Sequence, residues 1–128
     1  MSGDRRFAVD TSFVIGVLKG TVEATHAFTE VAFPFAVIGE LRFGAMGGRD
    51  PQRKLAEIDE MVRRSATLAG DGETARVYAN VRQRLKAAGT PLPENDIWIA
   101  AICLQHGLTL LTFDRHFDRV DDLKLATA

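Results

Sequence analysis

The chain has 128 residues, of which 46% are hydrophobic and 26% are charged, and its formal net charge is −1. This length and balance predict one globular domain, residues 1–128, with a single core. No stretch approaches the roughly 20 apolar residues of a membrane-spanning helix, and the single cysteine, Cys103, excludes an intramolecular disulfide. We therefore expect a cytoplasmic protein with a buried thiol and no membrane partner.

Three short apolar runs each lead towards an acidic residue, and we interpret them as strands. Runs of this length that are rich in Val, Phe and Leu are typical of strands buried on both faces of a parallel sheet. The runs and their acids are residues 7–9 with Asp10, residues 33–38 with Glu40, and residues 108–113 with Asp114. Two weaker strands are predicted at residues 66–68 and, at an edge of the sheet, at residues 123–125.

Helical patterns lie between these runs. One helix is predicted to start at Asp50, which a proline follows, and a second is bounded by Asp71 as N-cap and Gly89 as stop. A third is expected over residues 97–104, with Asn95 as its N-cap, and it is apolar almost all round, which predicts burial. The alternation of strands and helices predicts a three-layer α/β sandwich with a largely parallel, four- to five-stranded central sheet.

Four acids are the candidate metal ligands, namely Asp10, Glu40, Asp96 and Asp114. Three are expected at or just past the carboxyl end of a strand, where open parallel sheets bind ligands, and Asp96 lies in the first turn of the buried helix. Crowded carboxylates raise one another's pKa values and are rarely gathered without a cation, and oxygen ligands select Mg²⁺ or Mn²⁺. Without these four the chain has 13 acidic and 16 basic residues, a small positive excess that suits a polyanionic substrate.

Each acid also has an ordinary explanation. Asp10 can cap the helix that follows it, and Glu40 can be an exposed helical residue paired with a neighbouring arginine. Asp96 can be a first-turn carboxylate that the helix dipole favours, and Asp114 can begin a turn with His116 as a solvated neighbour. His116 has no partners at the spacing of a zinc site. Only the joint placement of the four acids indicates a functional site.

Four motifs resemble those of the PIN domain family. They are AVDTSFVI at residues 8–15, VIGELRFG at 37–44, NDIWIAA at 95–101 and LTFDRHF at 111–117. The order and spacing of the motifs and the length of the chain resemble the VapC-type toxins of bacterial and archaeal toxin–antitoxin pairs. The resemblance extends over residues 7–125.

The resemblance implies the roles of several residues. The four acids named above take the positions of the family's acidic quartet, and Thr11 and Thr112 fall where the family has a small hydroxyl residue near the site. Asp118 stands where some members have an accessory acid, although a solvated acid beside Arg119 is its more ordinary interpretation. The family further implies Mg²⁺- or Mn²⁺-dependent hydrolysis of RNA to 5′-phosphate and 3′-hydroxyl products, a VapB-type protein antitoxin and a homodimer.

Two other functions are compatible with an α/β fold of this kind. A Mg²⁺-dependent phosphohydrolase that forms an aspartyl phosphate also places Asp at a strand end, but it needs a second Asp where this chain has Ser12. A non-catalytic PIN module that binds RNA or protein predicts a broken quartet, and this quartet is intact.

Overall fold

The computed structural model describes residues 7–20 and 31–127. The strands within these ranges are β1 (Phe7–Val9), β2 (Val31–Pro34), β3 (Ala66–Leu68), β4 (Thr109–Leu111) and β5 (Leu125–Ala126). The helices are α1 (Thr11–Leu18), α2 (Phe35–Met46), α3 (Pro51–Arg63), α4 (Gly72–Ala88) and α5 (Glu94–His106), and a short 3₁₀ helix spans Arg115–Arg119.

The strands form one parallel sheet in the order β3-β2-β1-β4-β5. From the central strand β1 the chain builds β2 and β3 on one side, and then β4 and β5 on the other. Successive strands are therefore added on opposite sides of the pair β1 and β4. Ligands of open parallel sheets bind at the carboxyl ends of such a pair. The predicted α/β sandwich with a five-stranded parallel sheet and flanking helices is confirmed.

Helix α5 is the buried helix that the sequence predicted. Five consecutive residues in its middle are fully buried, namely Ile99, Ala100, Ala101, Ile102 and Cys103. Burial raises the pKa of the Cys103 thiol to about 12, so this cysteine stays protonated and inert. Among the described residues, no helix is both long enough and apolar enough to cross a membrane.

The predicted strand at residues 33–38 is wrong over most of its length. The strand ends at Pro34, and the next residue begins α2. Along this helix Val37, Leu41 and Ala45 are buried, and their spacing of four residues places them on one helical face. The apolar run continues because the strand is followed at once by a largely apolar helix. Glu40 therefore lies on α2 instead of just past a strand end.

Smaller boundaries also differ from the prediction. Pro93 occupies the N-cap position of α5 in place of Asn95, but Asp96 still lies in the first turn. The edge strand β5 is Leu125–Ala126 instead of residues 123–125. The strand at residues 66–68 is confirmed, and Asp71 caps α4 as predicted by accepting the N–H of the residue three positions later.

Candidate metal centre

Asp10 directly follows β1 and is 3% exposed. Its backbone N–H donates to the carbonyl oxygen of Leu111 on β4 at 3.0 Å, which ties the ends of the two strands together. Its Oδ1 accepts the N–H of Thr11 at 2.6 Å, and its Oδ2 accepts the hydroxyls of Ser12 at 2.8 Å and Thr112 at 2.5 Å. Asp10 therefore caps α1 and also forms part of a buried polar cluster, so both interpretations of this residue hold.

Glu40 reaches this cluster from α2. Its Oε1 accepts the hydroxyl of Thr11 at 2.6 Å, so Thr11 contacts the acids at positions 10 and 40 through its N–H and its hydroxyl, respectively. The neighbouring Arg42 is paired with Asp59 on α3. Glu40 is thus a helical residue, as its ordinary explanation required. Its hydrogen-bond partner, however, is Thr11, a residue of the site, and not an arginine.

Thr112 connects the first and last acids of the site. It follows β4, is 3% exposed, and donates its hydroxyl to Asp10 while accepting the backbone N–H of Asp114 at 2.9 Å. Asp114 occupies the N-cap position of the 3₁₀ helix, yet its side chain makes no capping hydrogen bond and is 41% exposed. The carboxylate of Asp114 is therefore held at the carboxyl end of β4 and remains open to solvent on one side.

His116, which the sequence predicts to be a solvated neighbour of Asp114, lies between Asp96 and Asp114. Nε2 of His116 lies 2.7 Å from Oδ2 of Asp96, and Nδ1 lies 2.9 Å from Oδ1 of Asp114. The Asp96 side chain is 14% exposed and that of His116 is 26% exposed. His116 is therefore part of the site instead of a solvated neighbour, and only the fold brings it to a residue twenty positions earlier.

The acids influence one another electrostatically. Burial raises the pKa of Asp96 above its ordinary value, and the negative charges of Asp10 and Glu40 raise it further, while the hydrogen bond with His116 opposes both effects. The carboxylates of Asp10 and Glu40 are thus close enough to Asp96 to disfavour its ionisation. A divalent cation relieves repulsion of this kind, because it replaces the lost hydration and neutralises the carboxylates.

The donors present suit a divalent metal ion. One ligand atom each from Asp96, Asp114 and His116 lies within 4.8 Å of the others, which is a spacing that one ion can span. Asp118 is exposed and does not belong to this group of three among the described residues. Ser12 and His116 belong to the site but were not predicted from the sequence. Each lies two positions after a predicted ligand, and this spacing is the only signal that the sequence offers.

The family model described as PIN domain matches residues 7–123. The chain belongs to the PIN domain family. Ribonuclease VapC4 of Mycobacterium tuberculosis is 30% identical to this PIN domain over 126 residues, which are 96% of this chain and 97% of that protein. The range that the family model matches, residues 7–123, contains all four acids and both threonines of the candidate site.

Solved structures agree with this assignment. The DNA-bound VapBC structure from Salmonella typhimurium contains a chain that superposes on this PIN domain with a TM-score of 0.87 and 25% identity, covering 94% of this chain and 96% of that chain. VapBC-5 from Mycobacterium tuberculosis, a member of the VapBC family of toxin–antitoxin systems, gives a TM-score of 0.75 and 27% identity over 94% of this chain and 96% of that chain.

Proposed function

We propose that this PIN domain is a metal-dependent endoribonuclease and the toxin of a toxin–antitoxin pair. In this proposal Asp10, Glu40, Asp96 and Asp114 hold Mg²⁺ or Mn²⁺. The observation that carries it is the convergence of these acids from four separate elements on the strand pair where the sheet order reverses, linked by two threonine hydroxyls and one imidazole. The similarity to curated VapC ribonucleases supports the same reaction class.

Divalent ions bound here would lower the pKa of a water molecule and stabilise the charge that develops on the phosphate and the leaving oxygen. The protein's own contribution is to hold the carboxylates in place. Thr112 couples Asp10 to Asp114, and Thr11 couples Asp10 to Glu40, so the ligands share one network of hydrogen bonds. Such preorganisation matters because a displacement of about 1 Å can cost about 100-fold in rate.

The contacts of Ser12 argue against the aspartyl-phosphate alternative. That chemistry needs a carboxylate oxygen that is free to attack phosphorus and a second aspartate two residues later. Here Ser12 occupies the second position and donates to Oδ2 of Asp10, while Oδ1 accepts a backbone N–H. Both oxygens of Asp10 therefore already accept hydrogen bonds, and a carboxylate held in one orientation in this way suits a metal ligand better than a nucleophile.

Cleavage of a labelled single-stranded RNA with Mg²⁺ or Mn²⁺ tests the proposal. The parent protein should cut in either ion, leave 5′-phosphate ends and stop when EDTA is added. Asp10→Asn and Asp96→Asn should abolish cleavage, because they keep the side-chain shape and remove the ligand charge. Asp121→Asn is the matched control, since Asp121 is exposed and lies outside the cluster, and Asp118→Asn tests the accessory role predicted for that acid.

Several results would count against the proposal. Cleavage at the parent's rate by either site variant would contradict the assignment of the ligands. Full activity in EDTA would indicate metal-free cleavage through the RNA 2′-hydroxyl. RNA binding without any cleavage, in either ion, would support the non-catalytic binding module instead.

A groove between α1, α2 and α3 suits the antitoxin of such a pair. Its volume is about 360 Å³, and Ile15, Leu18, Leu41 and Ile58 are among its apolar lining residues. Glu40 lines the same groove, so a segment bound there would also reach the metal ligands. A helix with an apolar face, ending in an Arg or Lys that pairs with the carboxylates, fits this combination and would displace the metal.

The protein encoded next to this gene is the probe for this partner. Leu18→Glu should weaken its binding in a titration calorimeter by at least 10-fold while leaving RNA cleavage unchanged, because Leu18 lies in the groove but not among the candidate ligands. High salt or excess Mg²⁺ should also weaken inhibition, since cation and metal compete for the same carboxylates. Inhibition that is unaffected by Leu18→Glu and by neutralisation of the acids would place the inhibitor elsewhere.

The homodimer expected from the family has a candidate surface on α2. Phe35, Phe43 and Met46 lie on one side of this helix and are 49%, 81% and 64% exposed. Large apolar side chains clustered on a surface are typical of protein interfaces. Sedimentation velocity should show a dimer for the parent protein and a monomer for Phe43→Ser. A parent protein that is monomeric at every concentration tested would exclude a stable homodimer.

A further inference from the structure

His116 offers an imidazole nitrogen at the centre of a site that the sequence predicts to contain only oxygen ligands. The 3₁₀ helix that carries His116 is anchored by Phe117, which is fully buried. The centroids of the His116 and Phe117 rings lie 5.3 Å apart, and this contact restricts the position of the imidazole. The ring faces Asp96 through Nε2 and Asp114 through Nδ1.

The distances around this ring suit a metal ligand. Ligands that bind an octahedral ion at about 2.1 Å are separated by about 3 Å when they are neighbours. Nε2 of His116 and Oδ2 of Asp96 are 2.7 Å apart, close to that value. A histidine that binds a metal through one nitrogen usually donates the N–H of the other nitrogen to a carboxylate, and Oδ1 of Asp114 lies 2.9 Å from Nδ1.

We propose that His116 is a ligand of the divalent ion, binding through Nε2 beside Asp96, while Asp114 orients the ring by accepting the Nδ1 hydrogen. This inference rests on the proposed metal-dependent function and changes the ligand set at this ion, where the imidazole nitrogen takes the place of the Asp114 carboxylate and Asp114 acts through the ring. No such role followed from the sequence, because the predicted ligand set contained carboxylates alone.

A nitrogen ligand changes which ion the site prefers. Mg²⁺ favours oxygen ligands and keeps its water, whereas an imidazole favours transition-metal ions, whose affinity for mixed nitrogen and oxygen sites rises from Mn²⁺ through Co²⁺ to Ni²⁺. His116 should therefore raise the affinity for Mn²⁺ and Co²⁺ more than the affinity for Mg²⁺. Removal of the imidazole in His116→Gln should therefore weaken the binding of Mn²⁺ and Co²⁺ more than the binding of Mg²⁺.

Electron spin-echo spectroscopy of the Mn²⁺-loaded parent protein tests the ligand directly. The spectrum should show modulation from an imidazole nitrogen, and this modulation should disappear in His116→Gln. His106→Gln is the matched control, because His106 is an exposed histidine in the last turn of α5 and should leave the modulation intact. This readout on the parent protein does not depend on the folding or activity of any variant.

Metal titrations provide the second measurement. His116→Gln should weaken Mn²⁺ binding by about 10- to 100-fold and Mg²⁺ binding by less than about threefold, with the circular dichroism spectrum unchanged. Mn²⁺ binding to the parent without nitrogen modulation, or equal losses for the two ions, would overturn the proposal even if RNA is still cleaved. Absence of cleavage by the parent protein in either ion would instead contradict the proposed function, so the two failures can be told apart.

Discussion

The hydroxyl of Thr112 contacts two candidate ligands at once, and its removal tests how the site is built. Thr112→Val keeps the shape of the side chain. It removes the hydrogen bond to Oδ2 of Asp10, at 2.5 Å, and the acceptor of the Asp114 N–H, at 2.9 Å. We expect a folded protein of lower stability whose carboxylates are less well positioned.

The size of the effect follows from burial and charge. A hydrogen bond to a charged group contributes about 1.5–3 kcal/mol, and Thr112 and Asp10 are each only 3% exposed. Ser12 and the N–H of Thr11 still donate to Asp10, so the expected loss lies near the lower part of this range, about 2 kcal/mol. For a domain of this length such a loss lowers Tm by about 7 °C.

Guanidinium denaturation in EDTA measures this loss without metal. Thr67→Val is the matched control, since Thr67 is exposed on strand β3 and its replacement should change the free energy of unfolding by less than about 0.5 kcal/mol. RNA cleavage by Thr112→Val at saturating Mg²⁺ should also fall by about 10- to 100-fold, because the positions of two carboxylates depend on this hydroxyl.

Thr112→Val in an Asp10→Asn background isolates the contribution that the charge of Asp10 makes to the free energy of unfolding. A hydrogen bond between neutral groups contributes about 1 kcal/mol, so Thr112→Val should cost about 1 kcal/mol less in that background. Equal losses with Asp and Asn at position 10 would refute the reasoning, since the stabilisation would then come from packing or from the Asp114 N–H. A loss no larger than that of Thr67→Val would refute it as well.

Other predictions concern charge, metal and growth. The folded state raises the pKa of Asp96 above 3.8, so the stability due to its protonated form is present below that pH and is lost as pH rises through the raised pKa. Asp96→Asn should therefore stabilise the metal-free protein at pH 7 and give little gain near pH 3, as measured by denaturation at each pH. Ca²⁺ should bind, by calorimetry, yet support little cleavage, because its looser coordination misplaces the attacking water. Expression of the parent protein alone should arrest growth and that of Asp10→Asn should not, and harmless expression of an active enzyme would contradict the toxin assignment.

The sequence predicted the sheet because its local signals agree with the fold. Short apolar runs that lead to an Asp mark β1 and β4, and Thr112 links the two acids because these strands are neighbours in the sheet. The order of the strands itself could not be predicted, since nothing in the runs states which edges pair. The sequence therefore predicts that Asp10 and Asp114 lie at strand ends, but it does not predict that the two strands are neighbours.

Glu40 and His116 mark where sequence reasoning stops. The apolar run around Pro34 serves a strand and then a helix, and proline at the strand end was the one signal that separated them, because it fixes φ and lacks an N–H for a further ladder bond. His116 gave no signal of comparable strength, since its partner Asp96 lies on another element and meets it only when α5 packs beside β4. A residue whose role depends on such a long-range contact becomes visible only in the folded chain. The ligand set of this site should accordingly be tested with the imidazole included, because an acidic set accepts both Mg²⁺ and Mn²⁺, whereas one nitrogen ligand shifts the preference towards Mn²⁺ and Co²⁺.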